Sequence, residues 1–514
     1  MNARLASLHP TFQLVLKFKP GVVDGDGRPL DAERWPQARL SPFRVRPMVA
    51  AAKDDLSGRL DHHADLSPLA TLMYVQDVVA NSRDDLLPLA SDFEASGLVE
   101  YASIEPRNVA PWDPQSVDGS PRRIAPLTQP RVRKARGSQA PDLLGYQDYL
   151  DDPDGVDAWY AWELGVSGWG VRIADIEWGY NFKHADLEQP GRLIQVLQST
   201  NSDYDDHGAA VVGVMYGVQG DIDDPRGIVG GVFGADALYA VSELPLGRAA
   251  GIAEGLKYLR PGDVFLYEMQ TGGRDDVLVP PDFDRSVWEI TKLATDAGIV
   301  VVATAGNGDE NLDLPFYDEY RGRGDNGAII VGAGTKYGRN KASFSTYGTQ
   351  VHLQGWGDWT VCSAGYGDLY NGGPNDTFTQ TFSGTSSAGP IVATAAVAIQ
   401  SWYKIKTGGA VLSSRQLRDL MIVTGKPQGS GGHIGPLPNI RAALWALGAA
   451  IGENGGRALA PTATFAAPPS SPPPWIDMAI TDADIASLAP TGLSRARRQE
   501  DMQKLHALLK RRRR

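Results

Sequence analysis

Residues 382–397 read F-S-G-T-S-S-A-G-P-I-V-A-T-A-A-V. A glycine turn feeds Ser386 into a nearly unbroken run of Ala, Val and Ile. A segment apolar on every side predicts a helix buried inside a large domain. Pro390 does not argue against it, because proline is tolerated in a first helical turn. A serine at such a helix start presents its hydroxyl at the open end, and its backbone N–H has no partner within the helix. That N–H is then able to stabilise an oxyanion. A plain N-capping serine would explain a Gly-Thr-Ser triplet, but the full G-T-S-x-A-x-P-x-V-A run is far rarer by chance.

Three upstream segments have the same construction. In V-R-I-A-D-I-E-W-G-Y-N-F-K-H-A-D-L, residues 171–187, an apolar strand delivers Asp175 at its carboxyl end, which is where α/β sheets place their active sites. In D-D-H-G-A-A-V-V-G-V, residues 205–214, His207 opens a helix. In I-V-V-V-A-T-A-G-N-G, residues 299–308, a buried strand ends at Asn307. Taken alone, Gly-Asn-Gly is good turn chemistry and no more.

Together these segments resemble the motifs of the subtilases, whose nucleophile motif commonly reads G-T-S-M-A-x-P-x-V-A and whose triad follows the order Asp, His, Ser. The resemblance covers roughly residues 145–448. It implies a serine endopeptidase with Ser386 as nucleophile, His207 as general base, Asp175 as its orienting carboxylate and Asn307 in the oxyanion hole. His207 follows Asp175 by 32 residues, an ordinary spacing for the family. His184, in the trailing H-x-D-L, is expected to be structural. Two positions depart from the family pattern. Ile176 and Glu177 stand where Thr or Ser and then Gly usually follow the aspartate, and Ala210 replaces a frequent second histidine. These departures motivate an alternative, a catalytically impaired protease scaffold acting as a binding protein.

The resemblance extends to weaker signals. G-I-V-G-G-V-F-G-A, residues 227–235, looks like the segment after the histidine helix. G-D-V-F-L-Y-E-M-Q-T-G-G, residues 262–273, sits where the family pairs substrate backbone. Gln270, Thr271 and Gly272 are therefore substrate-binding candidates, with a peptide added as a strand. No cofactor is needed for the chemistry. Many subtilases bind structural calcium, and Asp221, Asp223 and Asp224 cluster, although without a spacing that names a site.

The pattern outside these motifs sets the architecture. From 145 to 450, short Val/Ile-rich runs alternate with helical segments, which predicts an α/β domain with a mostly parallel sheet; the resemblance implies that it is a subtilisin-like three-layer domain. Residues 1–108 read as a small α+β unit. Phe12, Leu14, Leu16 and Phe18 share a strand face, Leu86, Leu87, Ala90 and Phe93 recur at helical spacing before Gly97, and Val99–Ile104 reads as a strand. This unit resembles subtilase propeptides, V-E-Y-A-S-I-E-P being the best local match. That implies N-terminal autoprocessing near 106–140, against the plainer reading of a permanent accessory domain. Residues 109–144 and 451–475 have linker compositions, the second Pro/Ala-rich.

The net charge of −12 argues against nucleic-acid binding over the whole surface. Residues 476–514 form a basic, partly helical tail. From Thr491 onward, nine Lys/Arg against two Asp/Glu give +7, leaving near −19 elsewhere. Met502, Leu505 and Leu509 mark a modest apolar stripe there. Arg495, Arg497, Arg498 and Arg511–Arg514 suit docking to an acidic partner; a solvated tail is the simpler reading. The single cysteine, Cys362, excludes an internal disulfide and reads as a buried thiol. The N-terminus shows no apolar signal-peptide core, so the default expectation is cytoplasmic, with non-classical export compatible. The partner implied is a protein or peptide substrate.

Overall fold

In the computed structural model, the described residues are 11–31, 43–49, 67–107, 109–111, 139–189, 191–197, 200–218, 225–454, 456–471, 478–481, 484 and 495–512. The N-terminal part is an antiparallel sheet in the order β2-β3-β1-β4, formed by β1 (Phe12–Phe18), β2 (Val45–Pro47), β3 (Leu72–Ala80) and β4 (Val99–Pro106), with helix α1 (Leu87–Ala95). Alternation along β1 divides its side chains. Leu14, Leu16 and Phe18 join Phe93 in a small core, whereas Val15 packs with Val287 and Ile290 of the larger domain.

That larger domain is built on a seven-stranded sheet in which every pairing is parallel. Its strands are β5 (Ile173–Glu177), β6 (Leu193–Gln195), β7 (Leu238–Ser242), β8 (Val264–Tyr267), β11 (Val300–Thr304), β12 (Ile329–Gly334) and β13 (Leu353–Trp356). Between β8 and β11, β9 (Thr271–Gly272) and β10 (Leu278–Val279) make a separate two-stranded ribbon. The order is β13-β12-β11-β8-β5-β7-β6. The chain lays down β5, β6 and β7 to one side, then returns to the other side of β5 with β8. The carboxyl end of β5 is thus a topological switch point, where open α/β sheets hold their sites.

Helices cover both faces. The principal ones are α2 (Ala158–Glu163), α3 (Asp205–Tyr216), α4 (Arg248–Leu256), α5 (Arg285–Asp296), α6 (Thr385–Lys406), α7 (Ser414–Thr424), α8 (Ile440–Glu453) and α9 (Arg495–Arg512). Ile173, Leu266 and Val302 face α3 and α6; their strand neighbours Ile176, Phe265 and Val301 face α4 and α5. α6 is the helix expected from residues 382–397, and twenty of its residues are buried. Pro390 is its sixth residue rather than part of its first turn. It withholds the N–H that would otherwise meet the Ser386 carbonyl.

The segments read as linkers are partly built into the domain. Residues 112–138 lie outside the described residues, but Ala140 and Leu143 are fully buried. The Leu459 N–H donates to the Tyr403 hydroxyl at 2.8 Å. The basic tail differs from the solvated segment of the simpler reading. Leu505 and Leu508 of α9 are 1% and 2% exposed, and Trp169 Nε1 donates to Asp501 Oδ2 at 3.1 Å. The apolar stripe buries this helix against the domain, and Arg511 adds an ion pair to Asp142 at 3.3 Å. Among the described residues, no helix is long and apolar enough to cross a membrane.

Candidate active site

β5 ends at Glu177, and the loop beyond it is held against the start of α3 by two glycines. A Cβ on Gly179 would stand 2.5 Å from the Asn201 carbonyl oxygen, and one on Gly208 would stand 2.0 Å from that of Gly179. Only bare backbone fits at this crossing. The Tyr180 N–H donates to Asp205 Oδ1 at 3.1 Å and pins the loop to the first turn of α3. His207 is thereby brought to the end of β5.

Its partner there is Glu177, not Asp175. His207 Nδ1 lies 2.8 Å from Glu177 Oε1, with the two side chains 3% and 0% exposed. The assignment of Asp175 as orienting carboxylate does not hold in the structure. Side chains alternate along a strand, so residues 175 and 177 share a face, but Asp175 sits one step, ~6–7 Å, farther from the strand's end. Its carboxylate oxygens are buried and have no hydrogen-bond partner among the described residues. Burial first, and then the neighbouring Glu177, push its pKa well above the usual carboxylate range. Tyr180 donates its hydroxyl to the Asp175 main-chain carbonyl at 2.8 Å. A sequence signal for Glu177 existed: the glycine expected two residues after the carboxylate is Gly179, which counts back to 177.

Ser386 is the second residue of α6, immediately after Thr385 and a Gly384 at φ +86°. The ring of Phe382, just upstream, meets the His207 ring edge-on at 5.8 Å between centroids. α6 packs against α3, which draws the serine and histidine segments together. Asn307 follows β11, and its Oδ1 accepts from the Thr385 N–H at 2.9 Å and from the Thr385 hydroxyl at 3.1 Å. With its oxygen engaged at the start of α6, the amide presents its NH₂ end as the available donor.

Gln270 is tied to the same loop, because its Oε1 accepts from the Asn307 N–H at 3.2 Å. Thr271 is fully buried, and its hydroxyl is bonded to Asp284, which also pairs with Arg248. The carbonyl of Gly272 accepts from Arg83 of the N-terminal unit at 2.7 Å. The amide of Gln270 donates to the Ala110 carbonyl at 3.5 Å. The chain leaving the N-terminal unit thus runs beside the loop that carries Asn307. His184 is structural as expected: its Nε2 is 2.7 Å from the Thr377 carbonyl oxygen, and its Nδ1 accepts from the Asp186 N–H. Cys362 is buried, and that burial pushes its thiol pKa far up.

One carboxyl escaped sequence reasoning. Glu268 follows β8 and is 4% exposed. Glu177, His207 and Glu268 each bring one potential ligand atom within 4.8 Å of the others. An imidazole with two carboxyls is not the six-to-eight-oxygen shell that calcium takes, so this group does not fit calcium. Asp221, Asp223 and Asp224 lie outside the described residues.

The family model described as "Subtilase family" matches residues 180–436, half of the chain, beginning just past Glu177. Thermitase of Thermoactinomyces vulgaris is 28% identical over 248 residues, covering 47% of this chain and 78% of its own. The extracellular serine proteinase of Thermus sp. (strain Rt41A) is 39% identical over 300 residues, covering 57% of this chain and 65% of its own. Among solved structures, a protease of Pseudoalteromonas arctica PAMC 21717 aligns with a TM-score of 0.44 at 19% identity, over 60% of this chain and 98% of that one. The chain belongs to the subtilase family.

Proposed function

We propose that the protein is a serine endopeptidase whose triad is Ser386, His207 and Glu177. The observation that carries this reading is the 2.8 Å contact between Glu177 and His207 Nδ1 at the switch point of the sheet, beside the start of α6. With Nδ1–H donating to Glu177, Nε2 is the basic nitrogen. His207 takes the Ser386 proton as Oγ attacks the scissile carbonyl. It then gives that proton to the leaving amine, and Glu177 stabilises the imidazolium between the two steps. The tetrahedral oxyanion is met by the Asn307 amide and by the Ser386 N–H at the positive end of a 22-residue helix. Water then hydrolyses the acyl-enzyme by the same proton path.

The N-terminal unit is a propeptide in this reading, removed by the enzyme itself. Its support is the placement of residues 105–107 and 109–111. Glu105 caps the start of α5 through the Ser286 N–H at 3.0 Å and the Ser286 hydroxyl, and Ala110 reaches Gln270. Gln270 to Gly272 then act as the backbone shelf for a peptide strand. The rival reading, an impaired scaffold, rested on the altered sequence after Asp175 and on Ala210 in place of a second histidine. The pairing of Glu177, one of those altered positions, with His207 favours the peptidase reading instead. The test is intact mass together with labelling by a fluorophosphonate probe. The wild type loses its N-terminal unit and takes up the probe, and Ser386→Ala does neither. A wild type that stays whole and unlabelled sinks the assignment.

A further inference from the structure

The carboxyl of Glu268 is built into the site from three directions. Ile176 on β5 pairs with Tyr267 on β8, so Glu268 stands one step past that pair, level with Glu177. β11 flanks it on the other side, with Ala303 opposite Tyr267 and the Thr304 hydroxyl bonded to the Met269 carbonyl. From above comes α6, one turn after Ser386. A Cβ on Gly389 would lie 2.5 Å from Glu268 Oε1, so glycine there makes the room that the carboxyl occupies. The groups facing it are Asp175 and Glu177 from β5, His207 from α3 and Ser386 from α6. The Ser386 hydroxyl is near enough to favour the ionised form, yet neither Glu268 oxygen is in a well-formed hydrogen bond. Burial, then Glu177 and Asp175, act the other way and win. The site thus favours the protonated carboxyl, a buried acid able to donate.

We propose that Glu268 is a positioning residue of the peptidase site, its carboxyl holding the Ser386 hydroxyl toward His207. This rests on the serine-peptidase reading above. In the ionised state, Glu268 places a second negative charge beside Glu177 and beside the serine oxygen as it becomes nucleophilic. It also loses the proton with which it donates. Activity therefore falls on the alkaline side, and that limb belongs to Glu268 rather than to His207.

The experiment compares the full-length wild type with Glu268→Gln, Glu268→Ala and Asp175→Asn, using a fluorogenic peptide across pH. Thermal melts first establish that each variant folds. Glu268→Ala lowers kcat on the order of 10²-fold with KM little changed, as a misplaced nucleophile does. Glu268→Gln, which donates but cannot ionise, recovers most of that loss and removes the alkaline limb while the acid limb stays. Asp175→Asn keeps both limbs. An alkaline limb unchanged in Glu268→Gln, or removed by Asp175→Asn instead, overturns the proposal. Infrared difference spectra give a readout without turnover. The wild type shows the band of a neutral buried carboxylic acid, and Glu268→Gln lacks it; absence of that difference also overturns the proposal. A folded wild type that neither cleaves peptide nor takes up the fluorophosphonate overturns the peptidase reading itself, whatever the spectra show.

Discussion

Glu177 and His207 meet at 2.8 Å across the end of β5 and the first turn of α3, with both side chains buried. A carboxylate in that position selects one imidazole tautomer and supports the cation that forms during turnover. Two residues earlier, Asp175 offers the same chemical group to no hydrogen-bonding partner among the described residues. Position along the strand, not acid type, decides which of them orients the histidine.

The first prediction separates these two acids. Glu177→Gln keeps the shape but loses the charge, and kcat falls on the order of 10⁴-fold. Asp175→Asn changes kcat by about tenfold or less, because it replaces a carboxyl whose charged form burial and Glu177 already disfavour. Steady-state kinetics on one peptide substrate decide it. A severe loss in Asp175→Asn with a mild one in Glu177→Gln would restore the assignment made from the sequence.

In the proposed mechanism Asn307→Ala removes the side-chain donor to the oxyanion, and kcat falls on the order of 10²–10³-fold with KM nearly constant. It also removes the acceptor for the Thr385 N–H, which loosens the start of α6 and costs ~1 kcal/mol of stability. Chemical denaturation of the same protein measures that second effect. A rise in KM at constant kcat would place Asn307 in ground-state binding instead.

The contrast between α6 and Glu177 shows what the sequence carried. The run after Ser386 is apolar on all sides, so burial of α6 follows from composition alone, and the strands ending near 177 and 304 follow from their Val/Ile content. Local pattern could not say which acid on one strand face lies at the strand's end, because Asp175 and Glu177 have the same parity. The glycine at 179 held that information, through a backbone crossing that leaves no space for a Cβ. Glu268 was invisible for another reason. Its neighbours Glu177, His207 and Gly389 are distant in sequence, and only the pairing of β5 with β8 brings them together. The docking of α9 was only partly legible: the stripe of Met502, Leu505 and Leu509 stands in the sequence, but the strongly basic composition hid the burial of Asp501 and Leu508 beside it.

Removing one of those leucines should show that α9 is part of the fold. Leu505 is 1% exposed in the same core cluster as α2 and α6 residues. Leu505→Ala destabilises by ~2–5 kcal/mol, read as a lower urea midpoint with the slope unchanged. Ending the chain before Arg495 uncovers Trp169, which is 2% exposed and packs with Ile405 and Met502. That truncation lowers the melting temperature and promotes association. An identical urea midpoint for wild type and Leu505→Ala would return α9 to the status of a solvated tail.

The hold of the N-terminal unit on the catalytic domain should weaken as pH rises. Glu105 is 2% exposed where it caps α5. Burial first, and then the nearby Asp284, raise its pKa from 4.5 to about 7, against the pull of the Ser286 hydrogen bonds. A group whose pKa is higher in the docked state favours docking fully below its undocked value, and that contribution is lost as pH rises through the docked value. The window is therefore from about pH 5 to just above 7. In full-length Ser386→Ala protein, which cannot cut itself, amide exchange in the first turn of α5 and in β4 should exceed the intrinsic pH effect across this window. Glu105→Gln keeps an acceptor for the Ser286 N–H without a titrating proton, and its exchange should follow the intrinsic curve throughout. If Glu105→Gln reproduces the wild-type curve, the pH response arises elsewhere in the interface, and Glu105 serves as a cap alone.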